Sequence, residues 1–211
     1  MNHDESVARC GVDDDAPFIL TATGAKLFFL DPSPHAISLV DICHHTGMLC
    51  RFTGATSQFY SVAQHSLHVG RIVKNMLDEE GVDRDIDYWD QILAALLHDA
   101  EEAYVNDLSS PLKSAVKGKY KWIANGIRNA IYEKYGIDRA YHNQIVKDAD
   151  NIAILVERYH FMPKHPDWPG ATDIEMRAYP KPEFKDPHQA SNDFGLALRM
   201  AFANRKILRA E

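Results

Sequence analysis

Cysteine is scarce in this sequence. Its 211 residues hold three, Cys10, Cys43 and Cys50. So odd and sparse a set cannot build a disulfide framework, and it points to a reducing compartment. Long apolar runs are missing as well; none approaches the ~20 residues that a membrane-spanning helix needs. The first residues, Met1 to Ser6, lack the basic and then apolar pattern of a secretory leader, so a cytoplasmic location is the expectation. Basic residues do not dominate either. There are 23 Lys and Arg against 30 Asp and Glu, a net charge of −7. That balance argues against a broad nucleic-acid or anionic-membrane surface, though a local basic pocket stays open. No Gly-rich phosphate loop, Ser nucleophile elbow, internal repeat or low-complexity tract is present.

What is there is an ordinary globular composition. With 45% hydrophobic residues the chain can bury one full core without staples. Residues 1–16 are polar and acidic and read as a flexible N-terminal arm; residues 17–211 read as a single domain. Phe18 to Leu30, around Gly24, is a short β-hairpin or extended cover. A first helix is expected over about Ser38–Leu49, with Ile42 and Thr46, or Leu39 and Cys43, facing inward. A second begins near Ser61 and ends before Gly81, with Val62, His65, Val69, Ile72, Val73 and Met76 at helical spacing. The third is expected over about Tyr88–Tyr104, followed by a loop from Val105 to Lys113. A fourth covers about Tyr120–Tyr135, with Gly136 as its C-cap. A fifth runs over about His142–Tyr159 and a sixth over about Gln189–Leu208. Between them, residues 163–188 hold six prolines and read as a long irregular loop. Helices dominate and strands are nearly absent, so the class is all-α.

The third helix is greasy, with Ile92, Leu93, Leu96 and Leu97, yet it carries His98 and Asp99 side by side at its inner end. An unpaired buried charge costs several kcal/mol or more, so such a pair is usually neutralised by a partner or a metal. His65 and Asp150, on two other helices, are further candidate ligands. Imidazole and carboxylate on rigid elements suit a divalent metal, and helix bundles build such sites in their interiors. Neighbours on a helix point about 100° apart, so one ion between those directions can reach both. A lone His is more often a hydrogen-bonded structural residue, and that alternative stays open for each ligand taken singly. Glu102 lies four residues after His98 and three after Asp99, on a shared helix face. It could orient a water there, or be a solvated helix-end charge, as Glu101 is expected to be. His68, one turn after His65, fits an outer partner or an extra ligand. The Cys43, His44, His45 and Cys50 set has a zinc-like composition, but the cysteines also suit a buried helix face. Asp148 should face away from Asp150. Glu157 and Arg158 form either a buried brace or a surface pair.

Taken together, the stretches Phe59–His65, Leu96–Glu102 and Lys147–Asp150 resemble the HD-domain phosphohydrolase superfamily. More narrowly they are similar to the YfbR-like 5′-deoxynucleotidase group and the phage DatZ-type dATP triphosphohydrolases. The resemblance runs from about Thr21 to Phe202. It implies that His65, His98, Asp99 and Asp150 bind a divalent metal (Co²⁺, Zn²⁺, Mn²⁺ or Mg²⁺), and that Glu102 and Asp107 are catalytic. It places Arg51 on the phosphate, Phe52 against the sugar or base, Lys113 on a phosphate and Pro111 in the pocket wall. Many relatives have Trp where this chain has Phe52. The implied substrate is a deoxynucleotide rather than a polymer, with water attacking the phosphorus nearest the sugar. A monophosphate would give a deoxynucleoside and phosphate; a triphosphate would release triphosphate. The resemblance also implies a homo-oligomer, dimer or hexamer, and admits a phage-encoded protein in a host cytoplasm. The alternative is an HD module that binds a nucleotide without cleaving it, against which Glu102 and Asp107 speak. A signalling-nucleotide hydrolase would call for an HD-GYP or RelA-like motif, and neither is present.

Overall fold

Four short polar side chains decide where the main helices begin. Ser38 accepts the Val40 amide, Ser61 that of Gln64, Asp85 that of Tyr88 and Asn143 that of Ile145. Each satisfies a donor that the first helical turn leaves free. At Ser61 the cap is reciprocal, because the Gln64 side chain returns to the Ser61 amide. The structure is a computed structural model that describes residues 16–116, 118–165, 179 and 181–210, with side-chain burial given as far as residue 206. The helices are α1 (Leu39–Met48), α2 (Val62–Glu79), α3 (Ile86–Leu96), α4 (Glu102–Val105), α5 (Ser110–Val116), α6 (Gly118–Tyr135), α7 (Gln144–Phe161) and α8 (Pro187–Ala210). The class is all-α, as the sequence leads one to expect.

The hairpin is present. Strands β1 (Phe18–Leu20) and β2 (Lys26–Phe28) pair antiparallel, with Phe18 opposite Phe28. Thr23 in its turn bonds Asp41 of α1 twice, through its amide at 2.8 Å and its hydroxyl at 2.7 Å. Asp41 is thereby buried with its charge satisfied.

The helices share one core. Ile42, Val69, Val73, Leu93, Leu97, Ile127, Ile131, Phe194 and Leu198 are buried in it. α1 and α8 meet very closely at Gly47, where a Cβ would come within 2.8 Å of the Pro187 carbonyl oxygen and 2.9 Å of Ser191 Cβ. A buried ion pair, Arg205 Nε to Asp90 Oδ1 at 2.5 Å, ties α8 to α3.

Two expected elements differ. The third helix does not run through to Tyr104. It ends at Leu96, passes through a turn at residues 97–101 and restarts as α4. There the amides switch to the carbonyl three residues back: Ala100 to Leu97 at 3.1 Å, Glu102 to Asp99 at 3.0 Å. The break is invisible to periodicity because Ala100, Ala103 and Tyr104 stay buried beyond it. The stretch from Val105 to Lys113 is not all loop either, since α5 starts at Ser110; Pro111 is compatible with its first turn, where amides have no intrahelical partner. In the proline-rich stretch, residues 163–165 and 181–186 are non-helical and α8 begins at Pro187. The expectation for 166–178, including Trp168, and that for the arm over 1–15 lie outside the described residues. Among the described residues no helix is long and apolar enough to cross a membrane.

Candidate metal centre

Three segments converge where α3 breaks. α2 supplies His65 from its first turns, its apolar face (Val69, Ile72, Val73) turned to the core. The turn after α3 supplies His98 and Asp99. α7 supplies Asp150, flanked by the buried Ala149 and Ala153. His65 Nε2 lies 3.2 Å from His98 Nε2, 3.6 Å from Asp99 Oδ2 and 3.0 Å from Asp150 Oδ1. His98 Nε2 lies 3.1 Å from Asp99 Oδ2 and 3.8 Å from Asp150 Oδ1. Among the described residues, His65, His98 and Asp99 are the group whose ligand atoms all fall within 4.8 Å of one another, and they could hold a metal ion. The zinc-like set around Cys43 and Cys50 forms no such group there.

The outer nitrogens show why these rings suit a cation. His65 Nδ1 is 2.7 Å from Glu157 Oε1, and His98 Nδ1 is 2.8 Å from the Ala95 carbonyl oxygen. Both partners only accept, so both Nδ1 atoms donate. In neutral rings the two Nε2 lone pairs then face each other, with two carboxylates beside them. A proton or a metal ion between them removes the repulsion. An imidazole oriented by a carboxylate or carbonyl behind it is the usual outer arrangement of a metal site. Two imidazoles and two carboxylates suit a divalent transition ion.

The charges respond to one another. Burial works against a charged His98, but Asp99 and Asp150 outweigh it and raise its pKa to about 9. Burial would raise the Asp99 carboxyl, yet His98, His65 and Arg51 hold it well below the usual range. Glu102 moves the other way. Burial, then Asp99 and Asp107, push its carboxyl well up against the pull of Lys113. Burial likewise raises Asp107.

Beside these four side chains opens a cavity of about 600 Å³. Asp99 and Asp150 form part of its wall, with Glu102, Asp107, Arg51, Phe52, Pro111 and Lys113. Of the ten residues that the resemblance implies for the site, eight line this cavity, and His65 and His98 touch its wall residues Asp99 and Asp150. Lys113 Nζ sits on Glu102 Oε1 at 2.8 Å, while Glu102 Oε2 makes no hydrogen bond among the described residues. Arg51 is held next to α2 by a short antiparallel bridge, its amide donating to the Tyr60 carbonyl at 2.8 Å. The chain then turns sharply: Phe52 and Thr53 have φ of 54° and 52°. Left-handed backbone is costly for a β-branched residue, and such strain gathers at functional loops. Asn106, just before Asp107, also has positive φ, at 65°.

Some expectations change. Glu101 is not a solvated charge; it is buried and bonded to Arg128. Glu102 reaches the site through the turn after α3 rather than along one continuous helix face. Glu157 is buried, but its partner is Arg51 at 3.2 Å rather than Arg158, which lines the cavity. His68 is buried outside the ligand group, its Nδ1 3.8 Å from Glu157 Oε1. Asp148 is exposed and points away, as expected. Sequence reasoning took Glu157 for a brace with Arg158 and missed its bonds to His65 and Arg51, and it missed Tyr60 at the site. The signal for Glu157 was its place two turns after Asp150, which puts both on one side of α7.

No family model matches the chain. It is 34% identical over 141 residues to the uncharacterized protein YfdR of Escherichia coli K12, covering 67% of this chain and 70% of that protein. It is 31% identical over 140 residues to an uncharacterized protein of Rhodobacter capsulatus, covering 64% of this chain and 68% of the relative. At that identity and coverage, the chain belongs to the family of YfdR.

Proposed function

We propose that this protein is a divalent-metal-dependent phosphohydrolase acting on the 5′-phosphates of deoxynucleotides. The observation that carries the reading is the meeting of His65 Nε2, His98 Nε2, Asp99 Oδ2 and Asp150 Oδ1 beside a cavity of nucleotide size. Four carboxylates line that cavity against three cations, Arg51, Lys113 and Arg158. A divalent ion beside them would add to the attraction that Arg51, Lys113 and Arg158 offer an anionic phosphate. When bound, the ion polarises a phosphoryl oxygen and acidifies a water.

The chain's own residues do the rest. Arg51 is buried and stays charged. Burial opposes the charge, but Glu157 and then Asp99 favour it more strongly. A fixed guanidinium stabilises negative charge as it develops on phosphorus oxygens. Glu102 Oε2 would take a proton from the water as it adds to phosphorus; the bond from phosphorus to the 5′-oxygen breaks, and the proton passes on to that leaving oxygen. Burial, Asp99 and Asp107 raise the affinity of Glu102 for that proton, and Lys113 keeps its other oxygen in place. Asp107 stands beside it as a second acceptor. Phe52 and Pro111 form the apolar wall against sugar and base.

A panel of deoxynucleoside mono- and triphosphates, with Co²⁺, Mn²⁺ or Zn²⁺, tests the reading. Release of a deoxynucleoside with phosphate, or with triphosphate, supports it and names the substrate. Nucleotide binding without product at any of the three ions replaces it with the non-catalytic binding module.

A further inference from the structure

We propose that Glu157 is a positioning residue that sets the spacing between the metal ligand His65 and the phosphate cation Arg51. One carboxylate would thus keep two otherwise separate halves of the site in register. The inference rests on the metal and phosphate roles proposed above.

Glu157 is fully buried on α7, seven residues and about 10 Å along the axis from Asp150. Its two oxygens are divided between the halves. Oε1 accepts His65 Nδ1–H at 2.7 Å and the Tyr60 hydroxyl at 3.0 Å. Oε2 accepts Arg51 Nε–H at 3.2 Å. His65 and Arg51 therefore each spend one nitrogen on Glu157 and keep another for the site. His65 turns its back nitrogen to Glu157 and offers Nε2 to the ion. Arg51 turns Nε to Glu157, and its NH1 lies 3.8 Å from Asp99 Oδ2.

Stability alone does not require this arrangement. Replacing a buried ion pair by apolar side chains of similar volume is often neutral or stabilising. What a carboxylate offers here, and an amide of the same shape does not, is an acceptor at both ends. In Glu157→Gln one end of the side chain must donate. It then faces either His65 Nδ1–H or Arg51 Nε–H, donor against donor.

The test uses the full chain stripped of metal and needs no turnover. CoCl₂ is titrated calorimetrically, and inorganic phosphate is titrated separately by phosphorus NMR. Glu157→Gln is expected to lower Co²⁺ affinity about tenfold to a hundredfold, the range for loss of an outer partner of a ligand. Phosphate affinity of the metal-free chain is expected to fall about tenfold, as a charge-assisted hydrogen bond to Arg51 is lost. In an Arg51→Ala background the same substitution should change phosphate affinity less than twofold and still weaken Co²⁺, because Glu157 reaches phosphate only through Arg51. Should Glu157→Gln fail to fold, Tyr60→Phe removes one bond to Oε1 and leaves Glu157 charged. It is then expected to weaken Co²⁺ about threefold, within the range for one hydrogen bond, and an unchanged affinity counts against the proposal. Affinities of Glu157→Gln within twofold of wild type overturn the role of Glu157. So does a phosphate loss that persists in full without Arg51. If wild type itself binds neither Co²⁺ nor phosphate, the phosphohydrolase reading falls along with this one.

Discussion

The Nε2 atoms of His65 and His98 stand 3.2 Å apart while the Nδ1 of each ring already donates elsewhere. Two lone pairs at that distance, walled in by Asp99 and Asp150, attract any cation that fits. The site's stability, affinity and chemistry all follow from what sits between those rings.

The first consequence is ligand-linked stability. A metal that binds only the folded chain stabilises it by about 2.7 kcal/mol at a hundredfold excess over its Kd. For a chain of this length that raises Tm by roughly 5–10 °C. Scanning calorimetry with Co²⁺ or Mn²⁺, reversed by a chelator, should show the shift. His98→Ala should lose it together with turnover, and a full shift in that variant would exclude His98 as a ligand.

The second concerns pH. Without metal, a proton takes the ion's place, and Asp99 and Asp150 raise His98 to about 9 against an ordinary 6.5. A group whose folded pKa is raised stabilises fully below its unfolded pKa and loses that contribution as pH climbs through the folded value. Metal-free protein is thus expected to lose stability between pH 6.5 and about 9, on the order of 1–3 kcal/mol. Saturating metal should flatten the slope, because the ion displaces the proton. Urea unfolding across that range, with and without chelator, checks both statements; identical profiles would contradict them.

Lys113 carries a third prediction. Its ammonium pulls the Glu102 carboxyl down against burial and the charges of Asp99 and Asp107. Lys113→Met removes the pull, so Glu102 should lose its proton at higher pH. The rising limb of the pH–rate profile for the reactive deoxynucleotide should then move to the alkaline side. A limb that stays in place would detach Glu102 from the proton transfer.

Packing supplies the fourth. A Cβ at Gly47 would strike the Pro187 carbonyl oxygen and Ser191 in α8, and backbone cannot step aside as a side chain tip can. Gly47→Ala should cost about 1–3 kcal/mol, visible as a Tm lower by several degrees. An unchanged Tm would mean that α1 and α8 pack less tightly than they do here.

Much of the fold was legible along the chain. Ser38, Ser61 and Gly136 mark helix ends, and the stripe of Val62, Val69, Ile72 and Val73 marks the buried face of α2. His98 and Asp99 announced themselves as polar residues after a run of core aliphatics. The break after Leu96 did not, because the residues beyond it remain buried and periodicity reports burial rather than hydrogen-bond register. Glu101 was misjudged for a related reason: its partner Arg128 lies 27 residues away on α6.

Caps and apolar spacing act over a turn or two of helix, so the sequence by itself determined most of the helices, their inward faces and the residue types able to hold a metal. Partnership across the chain obeys no such local rule. Glu157 meets His65 across 92 residues and Arg51 across 106. Only packing α7 against α2 brings those groups within bonding distance, and burial there makes each of them require a partner. The tertiary structure alone decided that the Glu157 carboxylate stands behind His65, because desolvation and distance exist only once the helices have closed.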